Sequence, residues 1–254
     1  MIVNKFVSVL GITLLAAVSS VAQNKPGNIA ALEFQTPKNG MVKQYEEGRK
    51  QKAAWHKQQK DTQPLYVWET IAGEDTGTYV VGRLGQHWAD LDKPSVPDQA
   101  DLDEYNKVIA SSVQSIVAQY YEVLPDVSNP GNSKPTDKFS EVIVYHVRYE
   151  KQHDFVDIIK KVDGAIKKTK WPVTYLWYTL SRGGDSGTFV LVITHTSWSD
   201  FEDKPDMKPF PAMLTEALGA DEAKALLKEI NASVEKETSK ITRFREDLSY
   251  LPTK

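Results

Sequence analysis

Five histidines are the side chains in this sequence best suited to acid–base, metal or haem chemistry. They are His56, His87, His146, His153 and His195, and no two of them have the close spacing of a metal-ligating pair. The chain has no cysteine, so it can form neither a disulfide nor a thiolate nucleophile. It also lacks a Ser-His-Asp order, a Walker loop and a dinucleotide fingerprint. Spacing alone therefore identifies no catalytic set and no metal site, and whether the protein is an enzyme stays open.

Candidate ligand-binding residues are the polar or amphipathic side chains that interrupt otherwise apolar strand segments. Such groups are costly to bury unless protein or ligand satisfies them. Seven residues are selected in this way: Trp68, Glu69, Arg83, His146, Arg148, Tyr178 and His195. Glu69 and Arg83 either form a cross-strand ion pair or orient an acidic or polar ligand. Because neighbouring strand residues point to opposite faces, Trp68 and Glu69 cannot share one cavity.

Two stretches of the chain repeat each other and place these candidates in equivalent elements. Residues 73–92 (GEDTGTYVVGRLGQHWADLD) match residues 183–202 (GGDSGTFVLVITHTSWSDFE) at an offset of 183 − 73 = 110. Each glycine- and aspartate-rich stretch lies between two β-branched and aromatic runs, which predicts a tight β-hairpin. We therefore predict two copies of one small domain, residues 29–128 and 140–250, joined by a linker at 129–139.

Hydrophobic periodicity predicts the order strand, helix, strand, strand, helix in each copy. The second copy carries an apolar helical stripe of Phe155, Ile158, Ile159, Val162 and Ile166, whereas the matching stripe of the first copy is broken. The lysine-rich residues 50–60 predict a solvent-exposed helix. Second helices are predicted within 102–120 and 223–234, and an insertion in the second copy is predicted at 204–218. Strands with two apolar faces favour sheets that face each other. The fold class is thus α+β, with two tandem ferredoxin-like (βαββα) repeats.

Two residue pairs are retained in both copies without an obvious chemical role. Trp88 and Trp198 are predicted to pack in the core, and truncation of Trp198 to alanine is expected to cost about 3–5 kcal/mol. Asp90 and Asp200 follow two residues later, and we predict that they act as helix N-caps.

The segments Trp-Ala-Asp-Leu-Asp (88–92) and Trp-Ser-Asp-Phe-Glu (198–202), each after a strand and before a helical region, resemble the dimeric α+β barrel superfamily. This superfamily includes antibiotic-biosynthesis-monooxygenase-like, NIPSNAP-like and chlorite-dismutase-like proteins. The resemblance implies that a barrel usually built from two chains is formed here within one chain. It also implies a ligand site between the sheet and the helix layer, and either cofactor-free oxygenase or haem chemistry. No histidine matches the chlorite-dismutase pattern, which weakens the haem alternative but leaves it open.

The N-terminal sequence predicts the location of the protein, and the charge balance limits the class of its partners. Lys5 precedes an apolar run at 6–18, and Ser20-Val21-Ala22 has small-x-small spacing, which predicts a signal peptide at 1–22 and export to the periplasm or beyond. No later segment approaches the roughly 18 apolar residues of a membrane span. With 31 basic and 34 acidic residues intermixed, a nucleic-acid partner is not expected. We predict an exported module that binds a small aromatic or apolar ligand without a cofactor, or else acts through interactions; the alternative is a cofactor-free monooxygenase or a haem-handling enzyme.

Overall fold

A computed structural model describes residues 26–202 and 204–252, so the predicted signal peptide lies outside the described residues. Each half of the described chain has the order βαββαβ, with one extra helix in the second half. The first half contains β1 (Ile29–Pro37), α1 (Val42–Gln58), β2 (Tyr66–Ala72), β3 (Tyr79–Gln86), α2 (Asp98–Val108) and β4 (Val113–Val123). The second half contains β5 (Phe139–Val147), α3 (Gln152–Thr169), β6 (Leu176–Arg182), β7 (Thr188–His195), α4 (Phe210–Leu218), α5 (Ala220–Ser233) and β8 (Val234–Phe244).

The last strand of each half is where the predicted βαββα order is wrong. The helix predicted within 102–120 ends at Val108, and β4 follows it; in the second half, Val234 begins β8. Val113, Ile116 and Tyr120 have helical spacing, which favoured a helix over the strand that residues 113–123 form. The alternate residues of this strand face the barrel interior. Two of these three are β-branched, and β-branched residues favour strands.

The eight strands form one closed antiparallel barrel in the order β1-β3-β2-β8-β5-β7-β6-β4. The halves are joined by the β2–β8 and β4–β6 pairings, so the two expected sheets are continuous with each other. Because neighbouring strands alternate in direction, equivalent strands such as β1 and β5 run the same way. The halves are therefore related by a pseudo-twofold axis along the barrel, and both predicted hairpins lie at one end, which we call the hairpin end.

The hairpins have the backbone geometry that the sequence predicts. Gly73 and Gly77 have φ values of 118° and 90°, and Gly183 and Gly187 have values of 92° and 79°. A positive φ is strained for residues with a Cβ, which explains why these glycines occur in both copies.

The helices cover the outside of the barrel, and the second half has the larger apolar core. The predicted stripe of α3 packs against outward-facing β6 and β7 residues such as Trp177 and Phe189. The predicted insertion forms α4, whose Met213 and Leu214 are fully buried in the same core. Within the described ranges, none of the helices has the length and apolar character needed to span a bilayer.

The buried role predicted for the two repeated tryptophans is wrong. Trp88 and Trp198 are 43% and 54% exposed. Each lies on a short 3-10 turn after the third strand of its half, where the indole covers a neighbouring ring. The Trp198 ring centroid is 4.4 Å from that of Phe139, and Trp88 contacts Tyr120 at 5.3 Å. Much of the Trp198 ring is already in solvent. Truncation of Trp198 to alanine should therefore lower the free energy of unfolding by less than truncation of a fully buried tryptophan would.

The repeated aspartates stabilise these turns from a different position than predicted. Asp90 and Asp200 occupy the third residue of each turn, and His87 and Ser197 occupy the N-caps. The backbone N–H of His87 donates to Asp90 Oδ2 at 2.7 Å, and that of Ser197 donates to Asp200 Oδ2 at 3.1 Å. The carboxylates thus satisfy backbone donors that precede the turn.

Candidate functional site

A cavity of about 390 Å³ lies in the first half, between the outer face of the sheet and helices α1 and α2. We call it the sheet–helix pocket. Its polar side includes Arg49, Lys52, His56, Arg83, Ser95 and Asp101, and its apolar side includes Leu65, Val81, Val96, Leu102 and Ile116. Such a pocket fits a small molecule with an apolar body and one polar end.

His56 is the most deeply buried ionisable side chain of the sheet–helix pocket, at 1% exposure. Its Nδ1 lies 2.9 Å from Asp61 Oδ2, and its Nε2 lies 3.4 Å from Asp101 Oδ1. Neither contact has hydrogen-bond geometry, so both ring nitrogens lack a hydrogen-bond partner among the described residues. The ring stacks on Tyr250 at 5.7 Å. A buried polar group without a partner is costly, and a ligand could supply that partner.

The Asp61 carboxylate, next to His56, accepts hydrogen bonds from three groups. Arg83 Nη2 donates to Oδ2 at 2.8 Å, the backbone N–H of Gln63 donates to Oδ1 at 2.9 Å, and the Ser95 hydroxyl donates to Oδ1. Burial acts to raise the pKa of Asp61, but these hydrogen bonds together hold it below its usual value. Asp61 is therefore a fixed negative charge beside the imidazole.

Two cations on α1, Lys52 and Arg49, are also buried in the sheet–helix pocket. Lys52 is 3% exposed, and its Nζ donates to the Asp101 carbonyl at 2.5 Å and lies 3.1 Å from Asp101 Oδ1. Burial lowers the pKa of Lys52, and Asp101 only partly opposes this. Arg49, also 3% exposed, donates to the hydroxyl of Tyr45 and to the side-chain carbonyl of Gln35. The prediction that residues 50–60 form a fully solvated helix is thus wrong for its inner face.

On balance, these surroundings favour the neutral form of His56. Burial is the largest cause and lowers the pKa of His56 below 6.5, and the positive charges of Lys52 and Arg83 lower it further. The carboxylates of Asp101 and Asp61 oppose this shift without cancelling it. A neutral imidazole can accept a proton from a ligand, and the two carboxylates are placed to stabilise the cation that results.

The second half has no counterpart of this polar group, although the elements are equivalent. At the repeat offset of 110, four ionisable residues of the pocket correspond to apolar residues of the second half. Arg49, Lys52, His56 and Arg83 correspond to Ile159, Val162, Ile166 and Ile193. This contrast is a signal in the sequence that could have identified the site, because four polar, ionisable residues stand where the second half has an apolar helix stripe and an apolar strand residue. Helix α4 adds buried side chains to the same region of the second half.

A larger cavity of about 680 Å³ occupies the interior of the barrel, which we call the lumen. Three predicted ligand-binding residues, Trp68, His146 and Tyr178, line the lumen, and Arg83 lines the sheet–helix pocket. Trp68 Nε1 donates to the Pro135 carbonyl of the linker at 3.0 Å. The structure thus distributes these four candidates over two separate cavities.

The other three predicted residues line neither cavity. Glu69 pairs with Arg243 at 2.6 Å and Arg245 at 3.0 Å, rather than with Arg83. Arg148 is exposed beyond the end of β5, and its Nε donates to the Ala232 carbonyl at 3.2 Å. His195 faces outward, with its ring 4.0 Å from Phe201 and its Nε2 3.6 Å from Glu141 Oε2. Glu69 and Arg148 thus bond within the protein, whereas His195 Nε2 is buried without a hydrogen-bond partner among the described residues.

The sheet–helix pocket does not fit a haem with His56 as axial ligand. Each nitrogen of His56 faces a carboxylate oxygen within 3.4 Å, which leaves no ring nitrogen directed at an open iron position. Across residues 26–202 and 204–252, no group of three or more His, Cys, Asp or Glu side chains is arranged to hold a metal ion. No step involving haem is therefore derived for this pocket.

Comparisons with known proteins support the fold. No family model matches the chain, and no curated protein matches it in sequence. A candidate monooxygenase from Fusobacterium nucleatum superposes with a TM-score of 0.53 at 13% identity, covering 85% of this chain and 91% of that one. An anthrone oxidase-like protein superposes with a TM-score of 0.50 at 15% identity (86% and 91% covered). A mutant chlorite dismutase from Candidatus Nitrospira defluvii gives 0.50 at 10% identity (87% and 94% covered).

The similarity to these structures spans most of both chains, and at these identities it concerns the fold alone. Together with the closed eight-stranded barrel and the outer helices, it agrees with the resemblance seen in the sequence. The chain thus has the dimeric α+β barrel fold, with both halves of the barrel carried by one polypeptide.

Proposed function

We propose that this protein binds a small amphipathic molecule, such as a phenol, in the sheet–helix pocket and that His56 accepts a proton from its acidic group. The observation that carries the proposal is the buried, neutral imidazole of His56, whose two nitrogens have no hydrogen-bond partner among the described residues. A ligand hydroxyl that inserts between His56 Nε2 and Asp101, whose side chain is 40% exposed and can move aside, would donate to the imidazole and satisfy this group.

The charges around His56 suit a ligand that becomes an anion. Lys52 and Arg83 carry positive charge within the pocket, and Asp61 and Asp101 flank the imidazole. Proton transfer to His56 would therefore produce an imidazolium between two carboxylates, and an anionic ligand near two cations that already pair with those carboxylates. The apolar wall of the pocket would contact the body of the ligand.

A cofactor-free oxygenase is the second candidate function, and the same imidazole favours it. Removal of a proton from an electron-rich aromatic substrate by His56 would give a carbanion or phenolate that can react with oxygen. The candidate monooxygenase and the anthrone oxidase-like protein share the fold. Oxygen uptake with anthrone as substrate, measured with an oxygen electrode, separates this function from simple binding.

Export is also part of the proposal. It depends on residues 1–22, where Lys5, the apolar run at 6–18 and the Ser20-Val21-Ala22 site have the order of a secretory signal. We propose that the mature chain works outside the cytoplasm as a ligand-binding module.

Binding of 4-nitrophenol tests the proposal, because its phenolate absorbs visible light and its phenol does not. We expect the wild-type protein to bind it and to increase the phenolate fraction at constant pH. His56→Ile introduces the residue found at the equivalent position, Ile166, and should weaken binding about tenfold or more. His153→Ile, at an exposed histidine of α3, is the matched control and should bind as wild type does. Equal binding and equal phenolate fraction in wild type and His56→Ile would contradict the proposal.

A further inference from the structure

The lumen of the barrel is lined by apolar side chains that do not fill it. Its walls include Leu32, Phe34, Val142, Val144 and Val192, which are only partly buried although they face the interior. Eight-stranded barrels are usually filled by their own side chains, or else hold a small ligand. A cavity of about 680 Å³ falls within the size range of small-molecule sites.

The geometry of the barrel limits what can enter the lumen. Eight paired strands enclose it on all sides, so no strand or helix of another protein can dock laterally. Linker residues 133–135 line the cavity, and Trp68 donates to the carbonyl of Pro135 at the end opposite the hairpins. The hairpin end carries the two glycine-containing turns and is the expected entrance. Only a small molecule suits this space.

The polar groups of the lumen favour an uncharged molecule. Two aspartates, Asp75 and Asp185, and two lysines, Lys134 and Lys240, line the cavity, so the carboxylates balance the ammonium groups. Lys240 Nζ is already paired with Asp75 Oδ2 at 2.7 Å. The lumen therefore offers no surplus charge to a charged head group.

Hydrogen-bonding capacity, by contrast, is left unused inside the lumen. The hydroxyl of Tyr178 and the imidazole of His146 make no hydrogen bond or ion pair with any described residue. Burial raises the pKa of Tyr178 to about 12, which keeps its hydroxyl a neutral donor. A ligand with a single hydroxyl or carbonyl group could bond to one of these side chains.

We infer that the lumen is a second binding site, for a neutral and largely apolar molecule with one hydrogen-bonding group, such as a long-chain alcohol. This site is distinct from the sheet–helix pocket, although Leu32 lines both cavities: strand alternation directs the lining residues of the lumen inward, whereas His56 and Arg83 lie outside the barrel wall. The inference does not depend on the proposed function.

Fluorescence of the neutral probe N-phenyl-1-naphthylamine tests the inference, since its emission rises in apolar surroundings. Wild-type protein should bind the probe, and 1-dodecanol should displace it at lower concentration than dodecanoate does. Val144→Trp places a large ring in the lumen and should weaken binding at least about tenfold, judged from the apolar surface of the probe that it would leave in water. Val42→Trp, at an exposed position of α1, is the matched control and should bind as wild type does.

The same measurements can overturn the inference. Absence of probe binding by wild type, or unchanged binding by folded Val144→Trp, would exclude the lumen as the site. Displacement by dodecanoate at or below the concentration needed for 1-dodecanol would exclude the neutral class. Loss of binding in His56→Ile but not in Val144→Trp would assign the probe to the sheet–helix pocket. Circular dichroism checks folding, and Val192→Phe replaces Val144→Trp if the latter does not fold.

Discussion

Burial favours the neutral form of His56, and two nearby carboxylates would stabilise the residue once it has received a proton. Burial lowers its pKa, while Asp61 and Asp101 are close enough to stabilise its protonated form once a ligand supplies the proton. In the folded protein without ligand, protonation of His56 is disfavoured relative to the unfolded chain. The residue therefore links folding to pH as well as to binding.

The stability of the protein should fall as the pH is lowered through the range in which an unfolded histidine titrates. Because the folded pKa of His56 lies below 6.5, the unfolded chain binds more protons than the folded protein below that pH. Stability present above about pH 6.5 is then lost as the pH falls toward the folded pKa. In His56→Ile this loss should be smaller, measured as the change in Tm between about pH 7 and about pH 5. His153→Ile should keep the wild-type dependence, and an unchanged slope in His56→Ile would show that His56 is not the linked group.

Helix α1 approaches α2 so closely that only glycine fits at the crossing. A Cβ added at Gly48 would lie 2.1 Å from the Val108 carbonyl oxygen and 3.1 Å from Ile109 Cγ1. Gly164 of α3 provides a contrast, since a Cβ there meets no atom within 4 Å. The two glycines lie in equivalent helices, so their substitution separates the effect of packing from that of helix propensity.

Gly48→Ala and Gly164→Ala should change stability in opposite directions. The first forces α1 away from the end of α2 and should destabilise the protein by about 1–3 kcal/mol. The second removes a flexible residue from an open helix position and should stabilise it by about 0.5–1 kcal/mol. Denaturant unfolding of both variants beside wild type gives the two values. A Gly48→Ala variant as stable as Gly164→Ala would mean that the helices can shift apart at no cost.

The sequence predicts helices and strands well where their inner faces are apolar. It predicts them poorly where polar residues lie on the buried face, or where the spacing of apolar residues fits both a helix and a strand. The stripe of α3 and the two hairpins are confirmed, because apolar spacing and positive-φ glycines are local signals. The buried face of α1 was missed, since Arg49, Lys52 and His56 resemble surface residues until the fold buries them. Strand β4 was missed because its residues fit both periods. Two of the seven candidate residues, Glu69 and Arg148, bond within the protein, and no local pattern could have shown those partners.

At the scale of the whole molecule, each half has two strand edges that only the other half satisfies. Strand β2 pairs with β8, and β4 pairs with β6, so a separated half would expose both edges. Exposed edges with unpaired N–H and C=O groups tend to pair with another chain. The pseudo-twofold symmetry provides the matching partner, because a second copy of the first half could occupy the place of the second half.

Residues 26–138 expressed alone should therefore form a homodimer, with β2 of one copy paired to β4 of the other. Size-exclusion chromatography with light scattering would measure the mass, and circular dichroism would confirm strand content. The full chain should remain a barrel within one molecule and serves as the reference. A folded monomer of residues 26–138 would show that the first half can protect its own edges.

Linkage of the two halves into one polypeptide frees them from the constraint that symmetry imposes on a dimer of identical chains. In such a dimer every substitution occurs twice, so a charged group placed in the core weakens both copies at once. Here the isoleucines of α3 and the buried side chains of α4 strengthen one half, while the other half carries Lys52, His56 and Asp61 at the corresponding depth. One half of the barrel thus has the larger apolar core, and the other half holds the polar pocket that we propose as the ligand site, so core mutations in the two halves should have different kinds of phenotype.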